Sequence, residues 1–137
     1  LDSSFWAAHM ELGWNYSALG RHRKAIEAVG RALQAEPDNQ LVLTAAVFIH
    51  ARAGMPTVGR RYLGSLLALA RKGTWVDPYL LGWAYAWLGE TDRALTSFSR
   101  AVDEVSFGVW GLKVEFLPEA FKADPRFRAL LRRVGNE

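Results

Sequence analysis

Residues 12–37 read LGWNYSALGRHRKAIEAVGRALQAEP, and this stretch decides the fold because its key residues return later in the chain. Leu12, Gly13, Tyr16, Gly20, Ala25 and Ala32 reappear as Leu81, Gly82, Tyr85, Gly89, Ala94 and Ala101, each pair 69 residues apart. That offset is two units of 34 plus one inserted residue, and a period of about 34 is a size used by stacked helix-turn-helix units. Such a unit cannot bury its apolar face alone, so neighbouring units stack into a continuous core and present a surface for binding rather than a catalytic cleft.

Within the first unit, apolar residues recur at helical spacing through Leu12, Tyr16 and Leu19, which predicts a helix over about residues 5–19 with Ser3 or Ser4 as its N-cap. Gly20 stops it. Its antiparallel mate is expected over residues 21–35, with Ala25, Ile26, Val29, Ala32 and Leu33 facing inward. Pro37 ends that helix and Asp38 is expected to cap the next. Gly13 and Ala32 have a steric role, because two helices joined by a short turn approach closely only where one shows the other almost no side chain.

Leu12, Gly13, Tyr16, Ala25, Ala32 and Pro37 all fall on the pattern of the tetratricopeptide repeat family, which this stretch resembles. Two positions depart from it: His9 stands where the family prefers Trp, and Val29 where it prefers Phe. The resemblance implies an all-α, tetratricopeptide-like helical solenoid of three antiparallel helix pairs plus a C-terminal capping helix. As a single domain over residues 1–137, its repeats would cover about residues 5–38, 39–73 and 76–106, with the cap over 107–137.

The second unit rests on its register, its Gly54 turn, Pro56 as a first helical residue and its apolar periodicity. Its motif residues have drifted: Ala46, Val47 and His50 replace Leu, Gly and Tyr, and Gly59, Leu63 and Leu66 replace Ala, Phe and Ala. The linker over residues 72–76 holds the inserted residue. Asp77-Pro78 then reads as a cap and first-turn proline for a helix to about Leu88, and Thr91 as the cap of a mate running to about Val105.

After Ser106 the pattern breaks at FGVWGLKVEF, read as a loop, and residues 118–121 form a turn at most. Asp124-Pro125 again reads as cap and proline. It opens a helix with Phe127, Leu130, Leu131 and Val134 on one face and Arg126, Arg128, Arg132 and Arg133 on the other, the character of a terminal cap. The tail LPEAFKADPRFRALLRRVG is similar to the ends of bacterial multidomain proteins in which a tetratricopeptide array follows a DNA-binding, cyclase-type or kinase domain. Leu1-Asp2-Ser3 lies one period before Ala35-Glu36-Pro37, so the chain is expected to begin on the last residues of a preceding repeat. A first helix pair left open on that side would self-associate.

Half of the residues are hydrophobic, enough to bury a core at this length without disulfides, and there is no cysteine to form one or to bind a metal as thiolate. A cytoplasmic setting is the default for such a chain. No apolar run reaches the roughly 18 to 20 residues of a membrane span. His9, His22 and His50 have no second histidine or carboxylate at a ligand spacing, so no metal, no cofactor and no enzymatic constellation is expected. The net charge of +3 raises nucleic acid as an alternative partner. The basic residues are dispersed, however, and only Arg60, Arg61, Arg71 and Lys72 would cluster with Arg31 on the convex side, with no RNA or DNA motif.

In the family the first helix of each unit lines a concave channel, and carrying that face over gives Met10, Trp14 and Ser17, then Leu41, Thr44, Phe48 and Arg52, then Tyr79, Trp83 and Trp87. Trp14, Phe48 and Trp83 share one register, an aromatic row suited to gripping an apolar peptide, with Trp83 at its centre. The plain alternative is that these rings only fill the array or are covered by the C-terminal segment. Members that clamp a C-terminal carboxylate use Lys, Asn and Arg, whereas Met10, Trp14, Ala45, Val76 and Leu80 stand at those places here.

Overall fold

The computed structural model describes residues 5–104 and 117–135. All regular structure among them is helical: α1 (Trp6–Ala18), α2 (His22–Ala35), α3 (Gln40–Arg52), α4 (Pro56–Arg71), α5 (Pro78–Trp87), α6 (Thr91–Asp103), α7 (Glu119–Lys122) and α8 (Pro125–Arg133). The chain divides into two compact units, 1–75 and 76–137, each described by itself below. The expected Ser3 or Ser4 cap and the FGVWGLKVEF loop lie outside the described residues.

In the first unit α1 pairs with α2 and α3 with α4, and α3 also packs on α1 and α2. Each hairpin closes in the same way. Gly20 and Gly54 both take φ +76°, a left-handed conformation that costs glycine little. The Gly20 N–H then donates to Ser17 O at 3.0 Å and the Arg21 N–H to Tyr16 O at 2.8 Å. At the second turn, Gly54 donates to Ala51 O at 3.1 Å and Met55 to His50 O at 2.9 Å. This is the pair of hydrogen bonds of a Schellman end, which satisfies carbonyls the helix leaves open.

Gly13 does the steric work expected of it. A Cβ there would lie 3.1 Å from Ile49 Cδ1, 3.2 Å from Ala25 O and 3.3 Å from Val29 N, so the α1 backbone sits close to α2 and α3. In the second hairpin Val47 occupies the Gly13 register while Gly59 occupies that of Ala25, so the bulk has moved from one helix to the other. Residues 42–50 of α3 are buried without interruption. Among them, His50 donates from Nδ1 to Ala46 O at 2.7 Å and holds its ring 5.3 Å from that of Tyr62. The cap of α3 is Asn39 rather than Asp38: Asn39 is extended, and its Oδ1 accepts from Leu41 N at 2.9 Å and Val42 N at 3.3 Å.

In the second unit Asp77 caps α5 as expected, its Oδ1 accepting from Tyr79 N at 2.9 Å. Gly89, with φ +78°, repeats the same turn. Its N–H reaches Ala86 O at 3.1 Å, and that of Glu90 reaches Tyr85 O at 2.9 Å. Thr91 is not the cap: it is already helical, and Glu90 before it makes no side-chain capping bond. The turn expected over residues 118–121 is a single helical turn, α7.

Phe98 of α6 organises this unit. A Cβ on Gly82 would lie only 2.8 Å from two of its ring carbons. Ring centroids of Tyr79, Phe121 and Phe127 stand 6.0, 5.7 and 5.9 Å from its own. Each such aromatic pair contributes about 0.5 to 1.5 kcal/mol beyond area burial. Phe127 is buried and Leu130, Leu131 and Val134 half-buried, while Arg126, Arg128, Arg132 and Arg133 face water, the polarity a cap requires. Asp124 caps α8 by accepting from Arg126 N at 2.8 Å, and Arg126 reaches across to Asp92 of α6 at 2.9 Å. Arg133 adds a 2.6 Å contact to Asp103. The hydrogen bonds and charge of Arg126 hold the Asp124 carboxyl below its ordinary range.

Candidate functional site

Helix register brings the expected residues onto the first helices of the pairs, and within the first unit it brings three of them together. The Trp14 and Phe48 rings stack with centroids 4.2 Å apart and planes 17° from parallel. The Arg52 guanidinium stands 5.6 Å from the Phe48 centroid, a cation over an aromatic face, and its Nη2 donates to Ser17 O at 3.2 Å. Arg52 thus ties the carboxyl end of α1 to that of α3. That link is a carbonyl contact, which residue types alone do not reveal.

Met10 and Trp14 are half-buried and Arg52 is exposed, so this group has an accessible edge. Phe48 is different, with only 2% of its surface exposed. Rings of this size bury large apolar areas and are drawn into any available packing, so Phe48 backs Trp14 and Arg52 rather than standing open. Thr44 is buried and bonds back to Gln40 O at 2.8 Å, a local helical contact. Leu41 is exposed.

In the second unit Tyr79 and Trp87 are half-buried, and the Tyr79 ring lies 6.4 Å from that of Trp83 at 59°. Trp83, expected at the centre of an open groove, is 4% exposed. Its ring offers little area to an incoming group, for the same packing reason as Phe48.

Other parts of the described chain offer less chemistry. No group of three or more His, Cys, Asp or Glu is assembled as a metal site among the described residues. His9 and His50 are buried in α1 and α3. A cleft of about 650 Å³ between α6 and α8 is rimmed by Arg100, Glu104, Asp103 and Arg126, which neutralise one another or near neighbours. A smaller cleft of about 270 Å³ lies on α1 and α2, lined by His9, Leu12, Tyr16, Lys24 and Glu27 among others. No described helix is long and apolar enough to cross a membrane.

Comparison with known proteins agrees with this geometry. A family model described as "Tetratricopeptide repeat" matches residues 6–39, the span of α1 and α2, and a second of the same description matches residues 79–105, the span of α5 and α6. No curated protein and no solved structure matches the chain. Repeats of this family generally mediate protein–protein interaction and are typically non-catalytic scaffolds. The 34-residue register, the Gly13 and Gly82 close approaches, the repeated glycine turns and the two family matches together identify the chain as one that carries tetratricopeptide repeats, over residues 6–39 and 79–105.

Proposed function

We propose that the chain is the peptide-binding or scaffolding module of a bacterial cytoplasmic signalling or transcription protein and does no chemistry of its own. The observation that carries this reading is the Trp14–Phe48–Arg52 group, an aromatic stack with a cation over the Phe48 ring, on the first helices of adjacent pairs. Aromatic and arginine anchors dominate binding energetics at protein interfaces. Met10 extends the apolar edge, and Tyr79 and Trp87 are the reachable aromatics of the second unit. The bacterial regulatory setting is supported by the resemblance of the C-terminal tail.

Self-association belongs to the same proposal. Leu12 of α1 and Phe5 and Leu19, which flank its two ends at the same seven-residue spacing, are 37%, 59% and 72% exposed, a stripe that a second copy would cover.

The test is to select peptides from a displayed library against the chain and titrate the best of them into wild type, Trp14→Ala and Arg52→Gln. Circular dichroism serves as the fold control. Loss of about 2 kcal/mol on Trp14→Ala with helicity retained is the expected result. Peptides that bind both variants like wild type would remove the site, and selection of no peptide at all, with tight binding of an oligonucleotide, would favour the nucleic-acid alternative.

A further inference from the structure

From Asn39 to Val76 the chain contains no Asp and no Glu, yet it carries Arg52, Arg60, Arg61, Arg71 and Lys72. Four of these cations belong to α4 and its end, and all four are exposed. Among the described residues they make no ion pair, whereas in the second unit Arg93, Arg100, Lys122, Arg126 and Arg133 each hold a carboxylate.

At 100° and 1.5 Å per residue, Arg60 and Arg71 lie about 20° apart around α4 and about 16 Å apart along it, and Arg61 and Lys72 repeat that relation one residue on. Between the two rows run Thr57, Gly64 and Ala68. A Cβ at Gly64 would meet nothing within 4 Å, so the space above it is open. The outer face of α4 is therefore a shallow trough with a small-residue floor and cationic walls. The helix dipole accounts for Arg71 and Lys72 at the carboxyl end, but Arg60 and Arg61, in the second turn, gain nothing from it. Four unpaired cations on one face raise a local potential that an anionic partner would relieve.

We infer that this face of α4 docks an acidic amphipathic helix of a protein partner. The fit is geometric as well as electrostatic. A helix laid along α4 and bearing carboxylates at i, i+1, i+11 and i+12 repeats the same spacing of about 16 Å, and a floor of Gly and Ala allows the close approach that bulky ridges prevent. Nucleic acid fits less well, because the exposed face of α4 has no aromatic ring on which bases could stack. The surface is distinct from the Trp14 group, so each can fail without the other.

The experiment measures fluorescence anisotropy of an alanine-rich helical peptide with glutamates at those four positions, against the full chain at low ionic strength. Its Gln counterpart, a single-stranded oligonucleotide and a DNA duplex are run in parallel. The Glu peptide should bind at least about tenfold more tightly than the Gln peptide, and Arg60→Glu/Arg71→Glu should remove that difference. Arg93→Glu in the second unit and Trp14→Ala should leave it intact. Should the charge reversal perturb the circular dichroism spectrum, Arg60→Gln/Arg71→Gln gives the same reading with a smaller change. Equal binding of Glu and Gln peptides, or no effect of either double variant, overturns the inference. Tighter binding of an oligonucleotide that is abolished by the same variants also overturns it, in favour of nucleic acid.

Discussion

Gly82→Ala adds one methyl group to α5 at the point where Phe98 is closest. The new carbon would sit 2.8, 2.8 and 2.9 Å from three atoms of the Phe98 ring, distances that packed carbons do not tolerate, so the ring or the helix must move. The ring has little freedom, since Tyr79, Phe121 and Phe127 surround it at about 6 Å. Overpacking of this kind costs about 1 to 3 kcal/mol, and the constraint on Phe98 argues for the upper half of that range. Against it stands the preference of a helix for Ala over Gly, about 1 kcal/mol. The net expectation is a loss of about 1 to 2 kcal/mol, or a melting temperature lower by about 4 to 8 °C for a chain of this size. Gly30→Ala in α2 is the matched control. Nothing lies within 4 Å of its added carbon, so only the helix preference acts and the melting temperature should rise by about 4 °C. Thermal unfolding followed by circular dichroism measures both. A Gly82→Ala variant as stable as wild type would refute the close-approach argument, and a destabilised Gly30→Ala would show that helix preference is not the opposing force.

Truncation after Lys122 removes α8 and with it Phe127, whose burial alone is worth about 1.5 to 3 kcal/mol; a clearly lower melting temperature is expected, and an unchanged one would mean the helix caps nothing. Asp124 has a lowered folded-state pKa, so the stability it contributes is present above its unfolded value of about 3.9 and is lost as pH falls through the folded value. Asp124→Asn should therefore be less stable than wild type near neutrality and approach it in acid; melting curves that stay parallel from neutral pH to about pH 2 would count against this linkage. Sedimentation equilibrium at high micromolar concentration should show dimers that Leu12→Glu dissolves, and a strict monomer of the wild-type chain would remove the exposed α1 stripe as an interface.

Much of this fold was readable from residue types, because glycine and proline act locally. Gly20, Gly54 and Gly89 each take the left-handed conformation that ends a helix, and Pro56, Pro78 and Pro125 each open one. Caps were less legible. Asp38 and Asn39 are both good capping residues, and only the extended backbone at Asn39 decides between them; Thr91 lost its expected role for a similar reason. The candidate site was legible in register but not in exposure. Spacing places Trp14, Phe48 and Trp83 alike, yet how deeply each ring is buried depends on tertiary neighbours that spacing does not specify. The acidic-partner surface arose from a property of a whole segment, the absence of carboxylates between Asp38 and Asp77, rather than from any motif.

The three glycine turns have a consequence for sequence drift. Each turn closes through main-chain groups alone, with the carbonyls of Tyr16, His50 and Tyr85 accepting from residues 21, 55 and 90. The side chains at those accepting positions play no part in the closure, so a tyrosine can give way to a histidine without loosening the hairpin. What such an exchange changes is the lateral packing, and His50 meets that demand with its own bond to Ala46 and its ring beside Tyr62. The turn thus separates two kinds of constraint, one on backbone geometry held by a single residue type and one on side-chain fit that several residue types can satisfy. The middle repeat shows the outcome: its motif residues have been rewritten while its fold has not.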